Sequence, residues 1–157
     1  MAMSEFRSIC IAIELATKQR DELAQAHARA LRNRGLASDQ MVQLKGYAGE
    51  TDTRWMAASS VARSPEIIRH HYQFMERLQQ AITLQEQVMA DISQQLDVAH
   101  QKLLQAEFRL AGLNKILEVR KAALLKKQKR RDQYQTDEFA ALQHARGKLL
   151  TMHGDMT

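Results

Sequence analysis

The chain is 157 residues long, carries a formal net charge of +5, and contains one proline, one cysteine and 5% aromatic residues. Alanine, leucine, glutamine and charged side chains dominate, which argues against a broad mixed globular core and for long helices or a coiled coil. A lone Cys10 excludes an internal disulfide, and no stretch is long and apolar enough to span a bilayer.

The first predicted helix covers about residues 4–56. Its apolar run from Ile9 to Ile13 is too short, and too soon cut by Glu14, to act as a secretion signal, so a cytoplasmic protein is the default expectation. Ile9, Ala16, Leu23, Ala30, Ala37 and Leu44 recur every seven residues, and Ala12, Ala26 and Tyr47 fall three beyond members of that series. This predicts one strand of a coiled coil. Glu14 and Lys18 add a favourable pair one turn apart. Gly35, Gly46 and Gly49 each lower helix propensity by about 1 kcal/mol relative to alanine, so a bend, fraying or a break is expected near Gly46–Gly49.

A turn at about 57–64 follows, and a second helix is predicted from about 65 to 146. Its start is written as Ser64-Pro65-Glu66. Serine caps the open N–H groups, proline pre-sets φ in the first turn, and glutamate complements the positive end of the helix dipole. From there Ile68, Met75, Ile82, Met89, Leu96, Leu103, Leu110, Leu117 and Leu124 stand seven apart. Three beyond them come His71, Leu78, Gln85, Ile92, Ala99, Ala106, Leu113 and Arg120, mostly apolar or small. Such a sustained heptad repeat implies supercoiling around a partner helix. Asn33, Gln40 and Gln85 are polar members of the two stripes, a device that fixes register. The next steps, Arg131 and Glu138, end the stripe.

Folding the chain back at the turn sets Ser4 opposite residues about 117–124, where the second stripe runs out. The two lengths match as an antiparallel pair within one molecule, which favours a monomeric hairpin over a parallel dimer. The fold class expected is all-α: a single-domain antiparallel two-helix coiled-coil hairpin, with an unpaired helical extension from about 125 and a flexible tail at about 147–157.

Nothing in the sequence assembles an acid, a base and a nucleophile. No two histidines stand four apart, and Gly46-Tyr47-Ala48-Gly49 follows no strand and lacks the lysine and hydroxyl of a phosphate loop. The expectation is a non-enzymatic protein with neither cofactor nor metal. Two features point to docking instead. Arg120, Lys121, Lys126, Lys127, Lys129, Arg130 and Arg131 form a run without an acid. It reads either as a solvated face or as an electrostatic site for an acidic surface. Nucleic acid is disfavoured, because a zipper's basic region precedes its heptads and no aromatic set is interleaved here. Tyr47, Trp55, Tyr72 and Phe74 gather near the turn, where they either pack the hairpin tip or present a partner patch.

The stretch Tyr72-Gln73-Phe74-Met75-Glu76-Arg77-Leu78-Gln79-Gln80-Ala81-Ile82, followed by glutamine-rich heptads, resembles FliJ, the small coiled-coil family of the bacterial flagellar type III export apparatus. So does the end of the chain, Lys126-Lys127-Gln128-Lys129-Arg130-Arg131-Asp132 and then Thr136-Asp137-Glu138-Phe139-Ala140. The resemblance covers nearly the whole chain. It implies a cytoplasmic stalk protein, peripheral at the inner membrane through its partners, that sits in the hexameric export ATPase FliI, promotes its assembly and activity, and links it to the export gate FlhA and to export chaperones. It further implies a gate contact through Gln40, Leu44, Tyr47, Phe74, Leu78 and Ala81. Thr51 stands where the family can show a further aromatic. It places the ATPase at the open end of the hairpin, where Lys127, Arg130, Arg131 and Phe139 are the candidates. The stalk of a virulence injectisome, and a basic coiled coil that binds nucleic acid or a membrane surface, are the alternatives.

Overall fold

The computed structural model describes residues 2–58 and 63–154. Two α-helices account for nearly all of them: α1 over Ala2–Ala57 and α2 over Pro65–Gly154. They pack against each other as a helical hairpin. The start of α2 follows its sequence signature. The Ile67 amide donates to Ser64 Oγ at 3.3 Å, and the Ile68 amide to the Ser64 carbonyl at 3.2 Å. Ser64 thus satisfies donors that the first turn leaves open.

Two expectations are corrected along the helices. No break interrupts α1 at Gly46–Gly49; the helix runs through both glycines with no positive φ. Leu44, Ala48, Thr51 and Trp55 on either side are half-buried. Packing of one face supplies most helix stability in a folded chain and outweighs the propensity cost of two glycines. At the other end, α2 continues to Gly154 rather than stopping near 146. Residues 147–154 are helical, and Thr151 Oγ1 donates to the carbonyls of Gly147 and Lys148 at 3.1 and 2.9 Å. Residues 59–62 of the expected turn and 155–157 of the expected tail lie outside the described residues.

The chain divides into two compact units. The larger is Leu15–Leu110. On its α2 side, His71, Met75, Leu78, Ile82, Gln85, Met89, Ile92, Leu96, Ala99, Leu103, Ala106 and Leu110 are all buried or half-buried, following the predicted stripe from its second member on; its first, Ile68, is exposed. On its α1 side, the seven-residue series is equally sound: Ala16 and Ala37 are buried, and Leu23, Ala30, Leu44 and Thr51 half-buried.

The companion series in α1 is only partly the one expected: Ala12 and Ala26 are half-buried, but the series does not continue. Asn33, Gln40 and Tyr47, three residues on, are exposed. Buried or half-buried instead are the residues four on: Arg20, His27, Met41, Ala48 and Trp55. Both offsets lie next to the same stripe on a helix, one on each flank. Ala26 and His27 are both half-buried, one from each flank, and from Met41 on only the second flank turns inward. Arg20 is half-buried, and its Nε donates to Asp21 Oδ1 at 2.8 Å.

Contacts across this unit run in opposite order along the two helices. Trp55 meets His71, Ala37 meets Gln85, and His27 meets His100. The smaller unit comprises the residues up to Glu14 together with those from Ala111 onward. Phe6, Ile9, Ala12 and Ile13 of α1 are half-buried there, as are Leu113, Leu117 and Leu124 of α2. From Leu125 to Gly154 every side chain is exposed.

Candidate docking surfaces

In the larger unit, the seam leaves an apolar groove on one flank. The heptad phase that turns Met41 and Ala48 inward turns Gln40 and Tyr47 outward. Across from them α2 presents Phe74 and Leu78. Gln40, Gln43, Leu44, Tyr47, Phe74, Leu78 and Gln85 line a groove of about 500 Å³. Tyr47 is 63% and Phe74 43% exposed, large aromatic surface that a lone chain leaves in water. No charged residue lines the groove. Its floor is fixed by Gln85, whose Nε2 donates to the Ala37 carbonyl at 2.9 Å and to Gln40 Oε1 at 3.2 Å. A polar residue in the seam therefore does what register-fixing residues do: it ties one helix to a single position on the other.

Five of the six residues expected at a gate contact line this groove. Ala81, the sixth, is half-buried and not part of the lining. Gln43 and Gln85 join the lining, although sequence reasoning assigned the one no role and the other only to the seam. Their signal was their place in the heptad, Gln43 one turn before Tyr47 and Gln85 one turn after Ala81.

The other aromatics near the turn divide. The Trp55 indole stacks on the His71 ring at 3.7 Å with planes 1° apart, and the Arg63 guanidinium lies 3.5 Å from the indole centroid. Arg63 also donates to the Trp55 carbonyl. Trp55 therefore packs the tip, while Tyr72 stays exposed with its ring edge-on to His71.

In the smaller unit, the end of the seam opens into a cleft. Glu5, Phe6, Arg120, Ala123, Leu124 and Lys127 line about 390 Å³. A shallower recess of about 160 Å³ follows, between Leu124, Lys127, Gln128 and Arg131. Of the four residues expected at the ATPase contact, the structure brings Lys127 and Arg131 together. Arg130 and Phe139 are exposed and line neither recess. Sequence reasoning missed Glu5 and Phe6 altogether. Phe6 lies three residues before Ile9, in phase with the stripe, and that spacing was its signal.

Among the described residues, no group of three or more histidine, cysteine or carboxylate side chains could hold a metal ion, and no helix is long and apolar enough to cross a membrane. What these surfaces offer chemically is recognition: one neutral and aromatic, the other apolar with cationic walls.

The model of the flagellar FliJ protein family matches residues 12–149, nearly the whole chain and both helices. Comparison with curated proteins finds no match.

Proposed function

This chain belongs to the flagellar FliJ protein family and is thereby a component of flagellar type III export, and from that premise we propose that it works there as a non-catalytic central stalk. Its basic open end docks in the hexameric export ATPase FliI and promotes assembly and hydrolysis. Its aromatic groove, at Gln40, Leu44, Tyr47, Phe74 and Leu78, engages the export gate FlhA. Export chaperones are further partners, and these contacts hold an otherwise monomeric protein at the cytoplasmic face of the inner membrane.

The observation that supports this reading best is that two unlike surfaces, one in each compact unit, coincide with the two sets of residues the family resemblance singled out. Five residues that the family resemblance assigned to one contact line a single uncharged groove. The run assigned to the other contact begins where α2 loses its cover after Leu124. A packed seam resists bending because moving one side chain disturbs its neighbours on the facing helix. A stalk built on such packing passes orientation from a ring to a gate without forming or breaking a covalent bond.

The experiment is a reconstitution with the export ATPase and the gate's cytoplasmic domain of the same bacterium. The full chain raises the ATPase rate, and a chain ending at Leu124 does not. Replacing Tyr47 and Phe74 by alanine removes gate binding and leaves ATPase stimulation intact. Stimulation that survives removal of residues 125–157 takes the extension out of the account. Salt-steep binding to DNA or anionic vesicles, with no binding to the ATPase, favours the basic-binder alternative instead.

A further inference from the structure

The basic run alone describes a charged rod. The structure adds an apolar floor, and the floor comes from the other end of the chain. We propose that Phe6, Arg120, Leu124 and Lys127 form a recognition cleft for an acidic amphipathic helix of the partner, which inserts one apolar side chain between α1 and α2 and sets carboxylates against the two cations. The inference rests on the reading that this end docks in the ATPase, and it goes beyond that reading by naming the chemistry of the partner and by making α1 part of the site.

Arg120 and Lys127 lie seven and fourteen residues after Leu113, so they occupy stripe positions of α2. A stripe position in a closed hairpin holds an apolar side chain, because a guanidinium or ammonium buried against a helix loses its hydration. Here both side chains are exposed. The same turns still carry apolar surface: Leu124 is half-buried between them, and Phe6 is half-buried on the facing helix. Two cations thus frame an apolar slot that neither helix fills, about 390 Å³ in all. That is room for a side chain or two of a docking helix, open to water and unlike an enclosed small-molecule site.

Charge selects the occupant. Glu5 is the one acid in the lining against two cations, and Lys126, Arg130 and Arg131 follow on exposed faces of the next turns. The field favours an acidic partner and speeds its approach. A nucleic-acid backbone would satisfy the cations but leave Phe6 and Leu124 uncovered, since phosphate contacts use charge alone. An amphipathic acidic helix satisfies both halves of the cleft. Phe139, twelve residues beyond Lys127, stands roughly 18 Å further along the helix and belongs to a separate contact.

The test measures binding of the full-length chain to the purified export ATPase over a range of salt concentrations. Circular dichroism confirms that each variant keeps its helices. Phe6→Ala weakens binding by about tenfold, the loss of one buried anchor. Arg120→Glu with Lys127→Glu weakens it by about a hundredfold and flattens the salt dependence. Arg120→Lys with Lys127→Arg, which keeps both charges, binds within a few fold of the wild type. Should Phe6→Ala and the charge reversal bind as wild type while Arg130 or Phe139 variants lose affinity, the cleft is overturned and the docking end stands. Wild-type binding that ignores salt overturns the acidic partner. A wild-type chain that does not bind the ATPase overturns the docking reading and this inference together.

Discussion

Two stretches of α2 differ sharply in what supports them. Between His71 and Leu124 the helix buries a side chain, wholly or in part, at nearly every stripe position; between Leu125 and Gly154 it buries none. Backbone geometry is the same in both, and both are rich in alanine, leucine, glutamine and basic residues. The difference lies in the facing helix. The first stretch draws its stability from tertiary packing, the second from propensity alone, which sustains an isolated helix only marginally in water. Stripe residues that meet α1 are mostly apolar, with His71 and Gln85 the polar members. Beyond Leu124 the stripe positions are Lys127, Arg131, Tyr134, Glu138 and Ala141, and all are exposed. The comparison teaches where tertiary packing ends and a helix must stand on propensity alone.

Truncation in the seam is the strongest way to break that contrast. Leu96 is 7% exposed, and Leu96→Ala is expected to cost about 2–4 kcal/mol through lost burial and the cavity left behind. Leu142→Ala, in the extension, should change stability by less than about 0.5 kcal/mol. Chemical denaturation of the two variants makes the comparison; equal losses would mean that the extension is packed after all.

Hydrogen exchange sharpens it without mutation. Amides of residues 75–110 should exchange only through global opening, whereas those of 130–150 exchange through local fraying at far lower cost. Uniform protection across α2 would contradict the exposed extension. Gln85→Ala gives a smaller effect, about 1 kcal/mol, from loss of its bonds to the Ala37 carbonyl and Gln40. Its more telling consequence is looser register, visible as a broadened distance between labels at residues 43 and 78. A single sharp distance in that variant would show that apolar packing sets the register unaided.

The smallest effect runs the other way. Nothing lies within 4 Å of a side chain built on Gly46 or Gly49, and both are helical without positive φ. Gly46→Ala and Gly49→Ala are each expected to stabilise α1 by up to about 1 kcal/mol, read as a higher melting temperature. If either destabilises, a hidden contact or a required bend exists at that site.

Much of this molecule was legible before its coordinates. The α2 stripe, its polar member Gln85, the Ser64 cap and the loss of apolar character after Leu124 were all visible as spacing. Five of the six residues singled out through the family resemblance share one groove, and the family match supports flagellar export over the injectisome alternative. What spacing could not show was the handedness of the α1 flank. Ala12 and Ala26 are half-buried as their spacing implied, but only the facing helix revealed that further on Met41, Ala48 and Trp55 take over the inward flank. The glycines misled for a related reason. Propensity is a local quantity, and the contacts that overrule it at Gly46 and Gly49 come from residues far along the chain.

The sequence by itself determined the helices, their antiparallel matching and the point where the seam ends, because those follow from a seven-residue period and from lengths. The tertiary structure decided which α1 residues face the seam and which side chains meet across it. Phe6 and Lys127 share a cleft because the two helices fold back on each other; lengths brought these segments opposite one another, but which side chains line the cleft depends on the packing of one helix against the other.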